Sequence, residues 1–246
     1  MEPVGTYDYT TEAYGLDFMG RLPMPTLGNY LLHAATQHAE ERGFGYAEME
    51  RRGTAWVLSR LAIELVGDGR ELADPICVST WVEAVERIFT RRCFAVTSAR
   101  SGEALAYARS VWAAIDKRTR RPTSLVGEWF DRMMAPGLPC PVETAGRIAA
   151  AEESADGEPT LRTVRYSDLD INGHLNSMRH MEAILDGFDL EVYRAAPVRH
   201  FEISYHAEGR YGRPLALYRR TLAPGIFACA LVDEGRAISR AEIRFA

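Results

Sequence analysis

At 246 residues and 47% apolar, the chain is long enough for one large domain or two small ones with real cores. Its net charge of −5 argues against a general nucleic-acid binder. No apolar run approaches the roughly 20 residues that a membrane span needs, so no membrane partner is expected.

Local charge and cysteine usage add two points. Lys117 is the single lysine among 29 basic residues, so clustered arginines carry the positive charge: Arg91-Arg92, and Arg118, Arg120 and Arg121. Cys77, Cys93, Cys140 and Cys229 are scattered with no CxxC pair, which reads as buried thiols in a reducing cytoplasm. Met1–Gly5 has neither a basic start nor an apolar stretch, so no signal peptide is expected there.

Residues 7–22 read as extended and irregular. Thr26 is then expected to cap a helix reaching about Arg42, with Leu27, Tyr30, Leu31, Ala34, Ala35 and His38 on one face and Gly43 as the stop. Four strand-like runs follow, Thr54–Leu65, Ile76–Val85, Thr90–Ser98 and Ala104–Asp116, separated by turns such as Gly67-Asp68-Gly69. Residues 141–160 are Ala, Glu and Gly with few large apolar groups and read as a linker. A short strand near Leu161–Arg165, a polar loop, a helix over Ser177–Asp186 and strands His200–His206, Leu215–Leu222, Ile226–Val232 and Ala237–Phe245 complete the chain.

The order repeats at a fixed offset. Gly28 and Gly173 are 145 apart, Gly43 and Gly187 144, Glu64 and Glu208 144, and Gly67 and Gly212 145. Four landmarks in order predict an internal duplication: two α+β units, each one helix followed by antiparallel strands, side by side with their sheets joined. The expected boundaries are 1–140, a linker over 141–160, and 161–246.

The polar loop reads Tyr166-Ser-Asp-Leu-Asp-Ile-Asn-Gly-His-Leu-Asn176. If extended, it puts Asp168, Asp170, Asn172 and His174 on one side and Leu169 and Ile171 on the other, the latter as anchors in the core. Asn176 or Ser177 would cap the helix, whose free N–H groups suit a developing oxyanion. His174 can move a proton near neutral pH, Asn172 can hold a carbonyl or a water, and Asp170 can orient either. A plain Asp- and Asn-rich helix start explains an isolated DxNxH about as well. Glu208, in Tyr205-His206-Ala207-Glu208, could meet the loop as a base for water, although a solvated strand-end Glu is the commoner case. His206 shares its side of the strand and is a weaker candidate.

At these residues the chain resembles the acyl-acyl-carrier-protein (acyl-ACP) thioesterases. The Asp-Leu-Asp-Ile-Asn-Gly-His-Leu-Asn segment, the Tyr205–Glu208 segment followed by Leu215, Trp56-Val57-Leu58-Ser59-Arg60, and Asp116 with Thr119-Arg120-Arg121-Pro122 carry the likeness over nearly the whole chain. The resemblance implies an α+β tandem (double) hot-dog fold with two helix-wrapped sheets, one active site on the second half, and Asp170, Asn172, His174 and Glu208 as the catalytic set. It implies no cofactor and no metal, an acidic acyl carrier protein as partner, and allows a homodimer. Gly209 stands where plant members have a cysteine once proposed as nucleophile, which counts against covalent cysteine catalysis here. In the first half Asn29 stands at the offset of His174, so that half is expected to bind the acyl chain through Leu27, Tyr30, Leu31 and Trp56, although simple core packing is the better reading for any one of them. Arg118, Arg120 and Arg121 are the first candidates for the carrier contact, against the equally ordinary solvated turn. Alternatives kept open are a coenzyme A thioesterase on the same fold, a non-catalytic acyl-carrier or lipid-binding module, and a hydratase.

Overall fold

The computed structural model describes residues 2–125, 134–135 and 137–246. The chain divides into two compact units, Met1–Pro23 with Leu27–Val142, and Met24–Thr26 with Glu143–Ala246.

In the first unit the described strands are β1 (Gly5–Tyr9), β2 (Thr54–Leu65), β3 (Ile76–Val85), β4 (Phe89–Ser98) and β5 (Ala104–Asp116), in the order β1-β3-β4-β5-β2 with antiparallel neighbours. In the second they are β6 (Thr160–Thr163), β7 (Val198–Tyr205), β8 (Pro214–Ala223), β9 (Ile226–Asp233) and β10 (Arg236–Phe245), in the order β6-β8-β9-β10-β7. The two orders are one topology written twice, so the offset in the sequence marks a structural repeat. β-Branched and aromatic runs form these strands because their side chains pack on a pleated face, as the buried alternation of Ile76, Val78 and Thr80 along β3 shows.

Helix α1 (Met24–Glu41) buries Leu27, Leu31, Ala34, Ala35, His38 and Ala39, a stripe at three- and four-residue spacing. Tyr9 of β1 stacks on Tyr30 of α1 with ring centroids 4.9 Å apart. The Thr26 cap does not form. The helix begins three residues earlier, after Pro23, with a proline in its first turn and no side-chain cap. Proline suits that position because its missing N–H would have no helical partner. A short α2 (Tyr46–Arg51) follows, and its counterpart α4 (Leu190–Ala195) lies 144 residues on; six residues carry too little periodicity for either to be expected. The second long helix, α3 (Ser177–Leu185), has half the length of α1.

Of the expected linker 141–160, residues 143–160 group with the second unit and 141–142 with the first. Ala151 is fully buried beside Ala228, Ala230 and Val232, Glu152 pairs with Arg240, and Ala145 N–H donates to Glu202. Small side chains here allow close packing on β9. No helix among the described residues is long and apolar enough to cross a membrane.

Candidate active site

The polar loop is a miniature hairpin. Asp170 N–H donates to the His174 carbonyl at 2.8 Å, and Gly173 N–H returns to the Asp170 carbonyl at 3.0 Å. Leu169 and Leu175 pair as an antiparallel bridge, and Gly173 closes the turn at φ +77°, where glycine carries no Cβ penalty. Asp170 Oδ1 accepts from Asn172 N–H at 2.8 Å and His174 N–H at 3.1 Å. Asp170 therefore orients both candidates through their backbones rather than their side chains.

The expected extended alternation is not what forms. Asp168 is buried, paired with Arg162 at 2.9 Å and accepting from Arg165 N–H at 2.8 Å; it holds the approach to the loop. Ile171, expected in the core, is 93% exposed at the turn tip. A turn reverses the chain, so period-two reasoning fails across it.

His174 and Glu208 come together: His174 Nε2 lies 3.1 Å from Glu208 Oε2, with both side chains partly exposed. Their approach is set by backbone pairing. Leu175 N–H donates to the Gly209 carbonyl at 2.8 Å, and His174 bridges Arg210. A Cβ on Gly209 would stand 2.8 Å from Leu175 Cβ, so the strand end reaches the loop this closely only without a side chain. Asn172 is exposed at the turn, its backbone held by Asp170. His206 faces Ser204 Oγ at 3.1 Å.

Asn176 caps α3, its Oδ1 accepting from Met178 N–H at 2.8 Å. That amide is thereby taken, and the Arg179 and His180 amides donate to the Asn176 carbonyl. The expected set of free helix-terminal donors is correspondingly reduced.

The first-half candidates are differently placed. Leu27 and Leu31 are closed in the core, Tyr30 is half-buried on Tyr9, and Trp56 donates to the Phe44 carbonyl at 2.8 Å while packing on Met49 and Ala114. Asn29 is exposed on α1, so the segment at the offset of the polar loop is helix, not loop. Arg118, Arg120 and Arg121 are exposed in the turn after β5, which Asp116 organises by accepting from Thr119 N–H at 2.6 Å.

Family models described as the acyl-ACP thioesterase N-terminal domain and C-terminal domain match residues 4–133 and 151–246. The chain belongs to the acyl-ACP thioesterase family. A structure of an acyl-ACP thioesterase from Bacteroides thetaiotaomicron is 39% identical, with a TM-score of 0.89 over 99% of this chain and 98% of that one. The 12:0-ACP thioesterase from Umbellularia californica, 20% identical, has a TM-score of 0.85 over 100% of this chain and 98% of its own, and supports the fold alone. The expected α+β double hot-dog thus holds for this acyl-ACP thioesterase family member. The chloroplastic palmitoyl-acyl carrier protein thioesterase of Gossypium hirsutum is 26% identical over 216 residues, 83% of this chain and 52% of that protein. The chain spans about half the length of the curated plant relatives it matches.

Proposed function

We propose that this chain hydrolyses the thioester of fatty acyl-acyl-carrier protein, releasing free fatty acid and the carrier thiol. The observation that carries the reading is the His174–Glu208 pair, 3.1 Å apart and reachable by solvent, in a member of this family. A water beside the pair gives its proton to one of them as its oxygen attacks the thioester carbon. The exposed Asn172 amide is suited to hold the carbonyl oxygen as charge develops there. The C–S bond then breaks and the thiol leaves with a proton from His174. Thiols ionise near pH 8.5, so departure needs little acid assistance. Asp170 keeps the loop in register throughout. This chemistry asks for no cofactor or metal.

Water, not a protein nucleophile, is the attacking group in this reading. Cys229, the cysteine of the second unit, is fully buried on β9, where burial pushes its thiol up to about 12. The acyl chain is assigned to the first half, with half-buried Tyr30 and Trp56 and fully buried Leu27 and Leu31 as its candidate contacts. Arg118, Arg120 and Arg121 are assigned to the acidic carrier, since an exposed cluster of fixed positive charge steers an acidic partner. Four free cysteines suit a reducing, cytoplasmic setting.

The test is thiol release over a panel of acyl lengths on acyl-carrier-protein and coenzyme A thioesters, with His174→Ala as control. Faster turnover on the carrier-protein ester, lost in His174→Ala, is expected. Equal or faster turnover on coenzyme A would overturn the carrier assignment, and acyl-chain binding with no thiol release would overturn the enzymatic one. An acyl-enzyme trapped on cysteine or on Ser204 would overturn water attack.

A further inference from the structure

Beneath the loop lies a buried polar group that the proposed chemistry does not use. His180, on the inner face of α3, is 2% exposed. Its Nδ1 is 3.0 Å from Ser239 Oγ on β10, and Ser239 is itself fully buried. The His180 ring meets the Tyr205 ring edge-on at 5.3 Å, and the Tyr205 hydroxyl donates to the Ser177 carbonyl at 3.0 Å. A polar ring in such a place costs stability unless its bonds are made, and an apolar residue would fill the space more cheaply.

What the ring joins is informative. The helix that carries the ring, α3, opens at Ser177, three residues after His174. Ser239 follows Ile238, whose carbonyl accepts from His206 N–H at 2.9 Å and Ala207 N–H at 3.2 Å, and Glu208 is the next residue. One imidazole therefore ties the helix that follows the His174 turn to the strand that holds the backbone before Glu208. We propose that His180 is a positioning residue for thioester hydrolysis: by linking α3 to Ser239 it sets the spacing of His174 and Glu208. The inference rests on the catalytic reading above. Burial, with a smaller contribution from the Arg162 charge, lowers the His180 pKa to about 4, so the ring keeps one donor and one acceptor at neutral pH.

The experiment compares His180→Phe, His180→Gln and Ser239→Ala with the parent and His174→Ala, reading kcat, KM, the pH profile of kcat/KM and the melting midpoint. A misplacement of about 1 Å costs about 10²-fold. Folded His180→Phe is expected to lose kcat by about that factor with KM nearly unchanged and a shifted pH profile, and His180→Gln to recover part of the loss. Ser239→Ala should shift in the same direction by less. Parent kcat and pH profile in folded His180→Phe would overturn the proposal. Should His180→Phe not fold, the same parent-like result in Ser239→Ala would overturn it. Full activity in folded His174→Ala would instead remove the catalytic reading beneath it.

Discussion

His174 and Glu208 are 34 positions apart in the chain, yet their side chains meet at 3.1 Å, on a hairpin turn and a strand end joined by the Leu175–Gly209 hydrogen bond. If the two handle one water, they act as a unit. His174→Ala and Glu208→Gln should each lower kcat/KM by about 10²–10⁴-fold. The double variant should lose little more than the worse single one. Losses that multiply in the double-mutant cycle would show two independent contributions.

Asp170 separates charge from geometry. Its Oδ1 accepts two backbone N–H groups, and an asparagine offers the same oxygen. Asp170→Asn should therefore keep much of the activity, while Asp170→Ala loses about 10²-fold as the turn loosens. Equal loss in both would assign Asp170 an electrostatic role at the substrate.

Gly209 predicts a packing defect that reaches the site. A Cβ there meets Leu175 Cβ at 2.8 Å, Leu175 Cδ2 at 3.1 Å and Ile238 Cδ1 at 3.3 Å. Gly209→Ala should destabilise by about 1–3 kcal/mol, as overpacking does, and reduce kcat by shifting the residue next to His174. Denaturant midpoints and kcat measured together check this; an unchanged kcat would mean that Leu175 yields without moving His174. The same crowding disfavours a cysteine nucleophile at this position.

The buried histidines set a pH limit. Burial, then the nearby Arg92 charge, lowers His38 to about 3, and burial lowers His180 to about 4, against 6.5 for the free side chain. The unfolded chain therefore binds these protons first. Their neutral forms contribute fully above about pH 6.5, and that stability is lost as pH falls toward 4 and 3. At pH 4 each histidine should have cost on the order of 2–3 kcal/mol. Melting midpoints from pH 7 to 4 read the slope, and His38→Gln should flatten it; an equal slope in the variant would place acid sensitivity elsewhere.

Much of this was legible in the chain. Strands β2, β3 and β5 end where their β-branched runs end, and the 144–145 offset reflects a real repeat of strand order. The pairing of His174 with Glu208 could be suspected from two segments with spacings suited to one site. What was hidden depended on tertiary contacts. Asp168 and Asp170 look alike in sequence, but Arg162 draws one inward while the turn keeps the other at the loop. His180 has the spacing of any core residue on α3, and only Ser239, 59 residues away, shows it as bonded. α1 starts ahead of Thr26, the stronger capping letter, because Pro25, with its fixed φ and no N–H to leave unpaired, suits the first turn.

In the first half, the eight positions offset by 145 from Leu169–Asn176 are Met24–Leu31, the opening turns of α1. The difference between the halves is thus one of backbone as well as side chain. A histidine placed at Asn29 would ride on a continuous helix, with no Asp-held turn to aim it. Asn29→His should add no second site, and active-site titration should still count one per chain. Catalysis there would require uncoiling two turns of helix, a change no single codon can make.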